Sequence, residues 1–311
     1  MLRRSILAAL VAAAGLAPHV VAAQDQPLSV RFTLMAGDKP VGCGAPLGEL
    51  GKPAVPASLH DARVYVYGFS LIDAQGKRIP LKLDQNDWQY ADVALLDFKD
   101  ARGGRAPCSE NQPAKNAVVT GSVPPGAYTG LAFSVGVPVE AEVGARSVSL
   151  NHSNLETAPA PLDIAAMNWS WQAGRKFLLV EVDPAGGLKR ADGSPARTWM
   201  VHLGSTGCIG NPATGDIVTC ARPNRFTVTF DHFDTGKDEV AIDLAALFQH
   251  ANLTRNEGGA VGCMSDPSDP ECAPIFAALG LNLNETHPGA GDAGRPTRPG
   301  VSPVFKVRSK P

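Results

Sequence analysis

"HDARVYVYGFSLIDAQGKRIPLKL", residues 60–83, decides the fold. Its first half carries β-branched and aromatic residues in near alternation, from Arg63 to Leu71, which suits a pleated strand and not a helix. "DAQGK" (73–77) is a turn, and "RIPLKL" resumes an extended pattern, so the stretch reads as two strands around that turn. Outward from it, the same texture recurs in "LSVRFTLMAG" (28–37), "GAYTGLAFSVGVP" (126–138), "GRKFLLVEVDPAGG" (174–187), "RTWMVHLGS" (197–205), "NRFTVTFDHFD" (224–234) and "SPVFKVRS" (302–309). Most of these runs are closed by Gly or Pro. With 32 glycines and 26 prolines spread along 311 residues, turns outnumber long helices. Two segments read as helical: "VAIDLAALFQHANL" (240–253), with Leu244, Leu247 and Phe248 on one face, and the short "APIFAALGL" (273–281), stopped at Gly280. The expectation is an all-β protein, a single β-sandwich-like domain with long insertions (99–118 and 151–166) and one or two short peripheral helices.

The first 23 residues stand apart. Arg3 and Arg4 precede an apolar run too short to span a bilayer, and "VVAAQDQ" offers small residues at a cleavage point before Gln24. This reads as a secretory signal peptide, leaving 24–311 as one exported, periplasmic domain without a membrane span; 284–300 reads as a flexible Gly/Pro-rich loop. Removing the leader takes two arginines and no acid, which leaves 26 basic against 30 acidic residues and moves the net charge from −2 to −4. That balance argues against nucleic acid as a partner. All six cysteines (Cys43, Cys108, Cys208, Cys220, Cys263, Cys272) lie in the exported part, and an even count there implies structural disulfides. Proximity pairs Cys208 with Cys220 and Cys263 with Cys272, and Cys43–Cys108 follows by elimination. No CxxC pair, haem-attachment CxxCH, GxSxG elbow, HExxH or P-loop is present, so the chain is not expected to be an enzyme.

Five blocks then occur in order: "PPGAYTGLAFSVGVP" (124–138), "NHSNLETAPAPLD" (151–163), "MNWSWQAGRKF" (167–177), "HLGSTGC" (202–208) and "CMSDPSDPEC" (263–272). Together they resemble the MbnP-like family, the four-cysteine member of a metallo-mystery pair, from about residue 28 to the end. The tyrosine often found where Arg175 stands is missing. The resemblance implies an exported copper-binding protein with one mononuclear site and no haem of its own. It also implies a transient partner, an MbnH/MauG-like di-haem cytochrome c peroxidase, that oxidises a tryptophan to kynurenine and so completes the copper site. Two readings from other classes stand beside it: an exported β-sandwich interaction protein without metal, and a secreted hydrolase.

Copper takes imidazole and soft sulfur ligands, so His and Met are the residues to search. His202 stands at a strand end before the tight "GST" turn and leads; His152, in the loop ahead of the tryptophans, comes next; His60, before a strand, is third. Met264, pinned beside Cys263, is the candidate sulfur. For the modified tryptophan, Trp171 and Trp169 share a face in an extended chain with Met167, and Trp199 is the reserve. Read from the residues alone, such a tryptophan pair is core. The acids of "SDPSDPE" (265–271) lack the spacing and central glycine of a calcium loop.

Overall fold

The structure, a computed structural model, describes residues 24–100, 114–143, 146–170, 174–211, 218–286 and 302–311. The signal peptide, Cys108, Trp171 and nearly all of the Gly/Pro-rich loop expected at 284–300 lie outside them. The elements that matter here, in chain order, are β1 (Gln26–Ala36), β2 (Val55–Asp73), β3 (Val93–Asp100), β4 (Val118–Val123), β5 (Tyr128–Val135), β6 (Asn168–Ser170), β7 (Gly174–Pro184), β8 (Trp199–Gly204), β9 (Thr206–Ile209), β10 (Thr219–Arg222), β11 (Phe226–Phe230), β12 (Asp238–Asp243), α1 (Leu244–Phe248), β13 (Gly262–Cys263), α2 (Cys272–Leu279) and β14 (Phe305–Ser309). Among the described residues strands dominate and the two α-helices are short, as an all-β sandwich requires.

Two sheets carry the fold. The smaller runs β14-β12-β1-β4, with residues 82–83 beyond β4; the larger runs β11-β5-β2-β7-β8-β13, with β3 pairing β2 off that path. Ring contacts join them: Phe32 of β1 meets Phe69 of β2 edge-on at 6.3 Å and Phe133 of β5 at 5.4 Å, while Phe69 and Phe133 stack at 5.3 Å. Aromatic pairs in these geometries add to the area they bury. The opening stretch follows its expected turn but not its expected second strand. Residues 78–80 pair with β2, whereas 82–83 pair with β4 in the other sheet. The chain crosses between the sheets at Leu81, whose N–H bonds to Phe69 O at 2.9 Å. Proline at position 80 removes a ladder donor at the crossing.

The helical expectation for 240–253 holds only at its centre. Val240, Ala241 and Ile242 extend β12 in parallel register with β1, and the helix begins at Leu244. Asp243 sets that boundary: its carboxylate accepts from the N–H groups of Ala245 and Ala246. The second helix stands as expected, ended by a left-handed Gly280.

The "MNWSWQAGRKF" stretch is not one extended strand. Met167 closes a 3₁₀ turn and is fully buried, and β6 folds back to pair with β7, Asn168 opposite Arg175. The shared face expected for Met167 and Trp169 therefore does not form. Cys208–Cys220 staples the β9–β10 hairpin, and Cys263–Cys272 joins β13 to α2. Cys43 is also disulfide-bonded.

Candidate functional site: a histidine–carboxylate face on the larger sheet

Three neighbouring strands, β2, β7 and β8, turn one face to the aromatic core and the other outward. Alternation sends Val180, Val182, Trp199, Val201 and Leu203 inward, all buried. It sends Glu181, Asp183, Met200, His202 and Gly204 to the outer face. The register supports this, with His202 opposite Leu179 and Met200 opposite Glu181.

His202 and Glu181 meet there, Nε2 to Oε1 at 2.8 Å. His60 arrives by a different device. The β2–β7 pairing slips one residue between Glu181/Asp61 and Val182/Leu59, so His60 is the extra residue of a β-bulge. A bulge re-aims a side chain. The His60 ring turns onto the outer face, Nδ1 at 3.3 Å from Asp183 Oδ2 and Nε2 at 3.9 Å from Glu181 Oε2. Asp183 is held in turn by Thr198 Oγ1 at 2.7 Å and Arg197 Nε at 3.2 Å. The His60 and Glu181 side chains are each 18% exposed and that of His202 is 10% exposed, so solvent reaches the group. Burial alone would raise the Glu181 carboxyl. The hydrogen bond from His202 and the charges of His202, His60 and Lys176 outweigh it and hold the carboxyl below its usual range.

A charged bed continues the face. Asp61, opposite Glu181, lies 3.2 Å from Arg63 and 3.3 Å from Lys99, and Arg63 Nε is 3.4 Å from Asp97. Beyond it, the loop after residue 150 covers the sheet. Tyr65 donates to Pro161 O at 2.7 Å. The fully buried Arg175 guanidinium donates to the carbonyls of Asn151, Ser153 and Leu162 and to Ser153 Oγ, at 2.7–3.1 Å.

Trp169 completes the picture. Its ring lies on Gly204, so close that a Cβ there would stand 2.8 Å from Cε3 and Cζ3. Only glycine permits this approach. Gly204 lies two residues along β8 from His202, and strand alternation puts both on the outer face. Ser265 pins this segment from the other side, its Oγ donating to His202 O at 2.9 Å and accepting from Gly204 N at 3.2 Å.

Of the other sequence candidates, His152 and Trp199 fall elsewhere. His152 is buried beside Asn151 Nδ2 (3.1 Å) and Cys220 Sγ (3.9 Å), in contact with the hairpin disulfide. Trp199 is fully buried on the core side, edge-on to Phe248 at 5.7 Å, its indole N–H without an acceptor. Met264 is half-buried, one residue past the Val201–Cys263 pairing and so next in register to His202. Glu181 and Asp183 escaped the sequence reading. The signal was there in "LLVEVDP": two acids at i and i+2 interrupt an apolar strand and must share a face.

Two imidazoles around a carboxylate suit a borderline metal such as copper. They are an incomplete set: among the described residues, no group of three or more His, Cys, Asp or Glu side chains stands ready to hold a metal ion. Nε2 of His202 is engaged by Glu181.

Fold and site define an all-β, disulfide-stapled protein with a histidine–carboxylate face on its larger sheet. Disulfides fit an extracellular or periplasmic setting, and among the described residues no helix is long and apolar enough to cross a membrane. The MbnP family model matches residues 25–265, and the chain belongs to that family. The solved structure of MbnP from Methylosinus trichosporium is similar at 59% identity and a TM-score of 0.84, over 92% of this chain and 99% of that one. A comparison with curated proteins gives no match.

Proposed function

We propose that the chain is an exported, periplasmic copper-binding protein in copper handling. Its single site is built on His60 and His202 and completed by the oxidation product of Trp169. One observation carries the reading: two histidines from different strands converge on Glu181, and an indole is seated on Gly204, two residues along β8 from one of them. Indole N–H is a donor with no lone pair to offer. Opening the indole ring to kynurenine, with net gain of one oxygen and loss of one carbon as formate, creates an aryl amine and a ketone that can bind a metal. The histidine set, incomplete as it stands, is what such a site would look like before modification.

The oxidant belongs to a partner, a di-haem cytochrome c peroxidase-like enzyme that meets this face transiently. A redox encounter of that kind needs only a small interface, and the chain's mild negative charge gives weak steering.

The test is expression with and without the active partner, followed by copper analysis and fragment-ion mass spectrometry of the tryptic peptides. The expected result is kynurenine at Trp169, copper near one per chain only after modification, and its loss in His60→Ala and His202→Ala. Unmodified tryptophans in partner-exposed protein, or copper retained by both histidine variants, would overturn the reading.

A further inference from the structure

Along β2, seven residues beyond His60 and so on the order of 20 Å away, a separate cleft of ≈ 600 Å³ opens between the sheets' edges. Its walls are Tyr67, Leu81, Leu83, Pro138 and Val143, and Asp92 is set among them. The volume lies in the range of small-ligand sites.

Asp92 is placed there by a strained piece of backbone. Ala91, immediately before it, has φ +53°, a left-handed conformation that alanine rarely adopts. Gln85 holds it there from both sides, accepting from Ala91 N at 2.6 Å and donating to Ala91 O at 3.1 Å. Gln85 also lines the cleft. Strain of this sort persists where the surrounding structure enforces it, and it gathers at functional positions.

The carboxylate itself is underused. Asp92 Oδ2 accepts from Gly68 N at 3.2 Å, at a point where the β2–β5 pairing shifts register. Burial pushes the Asp92 carboxyl up to about 6 against that hydrogen bond. Glu140 and Lys82 also line the cleft. Tyr67 is its aromatic wall, and an aromatic face beside a carboxylate is a common way of receiving an ammonium group.

We propose that this cleft is a second binding site, for a small organic cation: a primary ammonium or guanidinium on an apolar stem. The cation meets Asp92 and the Tyr67 ring, and the stem lies along Leu81, Leu83 and Val143. The site is independent of the histidine face and of any metal there.

Benzylamine and its neutral counterpart benzyl alcohol test this by amide chemical-shift titration of the mature chain. Benzylamine should shift the amides of Tyr67, Gly68 and Asp92 saturably in the millimolar range, with benzyl alcohol weaker by at least about tenfold. Asp92→Asn keeps an oxygen for Gly68 N and should weaken benzylamine by a similar factor, while Ala141→Trp should abolish binding by filling the cleft. His202→Ala should leave it unchanged. Equal binding of the alcohol, undiminished binding by Asp92→Asn, or no saturable shift at these amides would overturn the proposal.

Discussion

The ring of Trp169 rests on Gly204, with two of its carbons 2.8 Å from the place a β-carbon would occupy. The contact seats the indole on β8, two residues along from His202, and leaves no room for a methyl group. The Arg175 carbonyl, 3.0 Å from the same point, blocks the alternative of shifting the strand. Gly204→Ala should therefore lift the indole off β8 and cost about 1–3 kcal/mol. Thermal unfolding reads the loss, and a red shift in tryptophan emission reads the displaced ring. Unchanged emission would mean that the ring does not depend on this contact.

Glu181→Gln keeps the shape and removes the charge shared by two histidines. The wild-type carboxyl is held below its usual range, so its ionisation stabilises the fold above the unfolded value, and that contribution is lost as pH falls through the folded one. The variant should be less stable by about 1 kcal/mol at neutral pH, a figure already reduced for partial exposure, and should approach wild type in acid. Parallel urea titrations at the two pH values check this. A gap that does not close in acid would assign the effect to packing.

Asp92→Asn should do the opposite. Here the folded pKa, about 6, lies above the unfolded one, so wild-type stability is full below the unfolded value and declines as pH rises through about 6. The variant should match wild type near pH 4 and exceed it by about 2 kcal/mol at pH 8. A carboxylate kept where it weakens the fold is what a binding role for that residue entails.

Arg175→Met would leave the carbonyls of Asn151, Ser153 and Leu162 without this donor. The expected cost is about 3–5 kcal/mol, and the first consequence should be local. Limited proteolysis between 151 and 162 should become fast while the rest of the chain stays protected. Resistance of that loop would show that Tyr65 and the surrounding packing suffice to hold it.

Strand positions were legible in the sequence because alternation and β-branching act locally, and the paired disulfides because their loops are short. The β2–β14 architecture needed more. The chain's crossing at Leu81 depends on what Phe69 and β4 offer across the fold, and β12 masquerades as helix because "VAIDLAAL" satisfies both periods until Asp243 caps. For the proposed site, only the position of His202 near a strand end was legible, from the tight turn behind it. His60 ranked below His152 because nothing nearby in sequence marks a bulge. His152 stands in the tryptophan loop as expected, but its contacts are with the hairpin disulfide. Arg175 clamps a loop through carbonyls that no side-chain pattern announces.

The bulge at His60 has a consequence for how such a site is acquired. His60 faces Glu181 because β2 carries one residue more than β7 across that interval, and not because of any particular side chain there. Deleting a single neighbouring residue would restore regular pairing and swing the imidazole away from Glu181, though every site residue survived. The face is thus encoded by length as much as by composition. Its gain or loss in descent would be recorded as an insertion or a gap, and a comparison that counts substitutions alone would miss it.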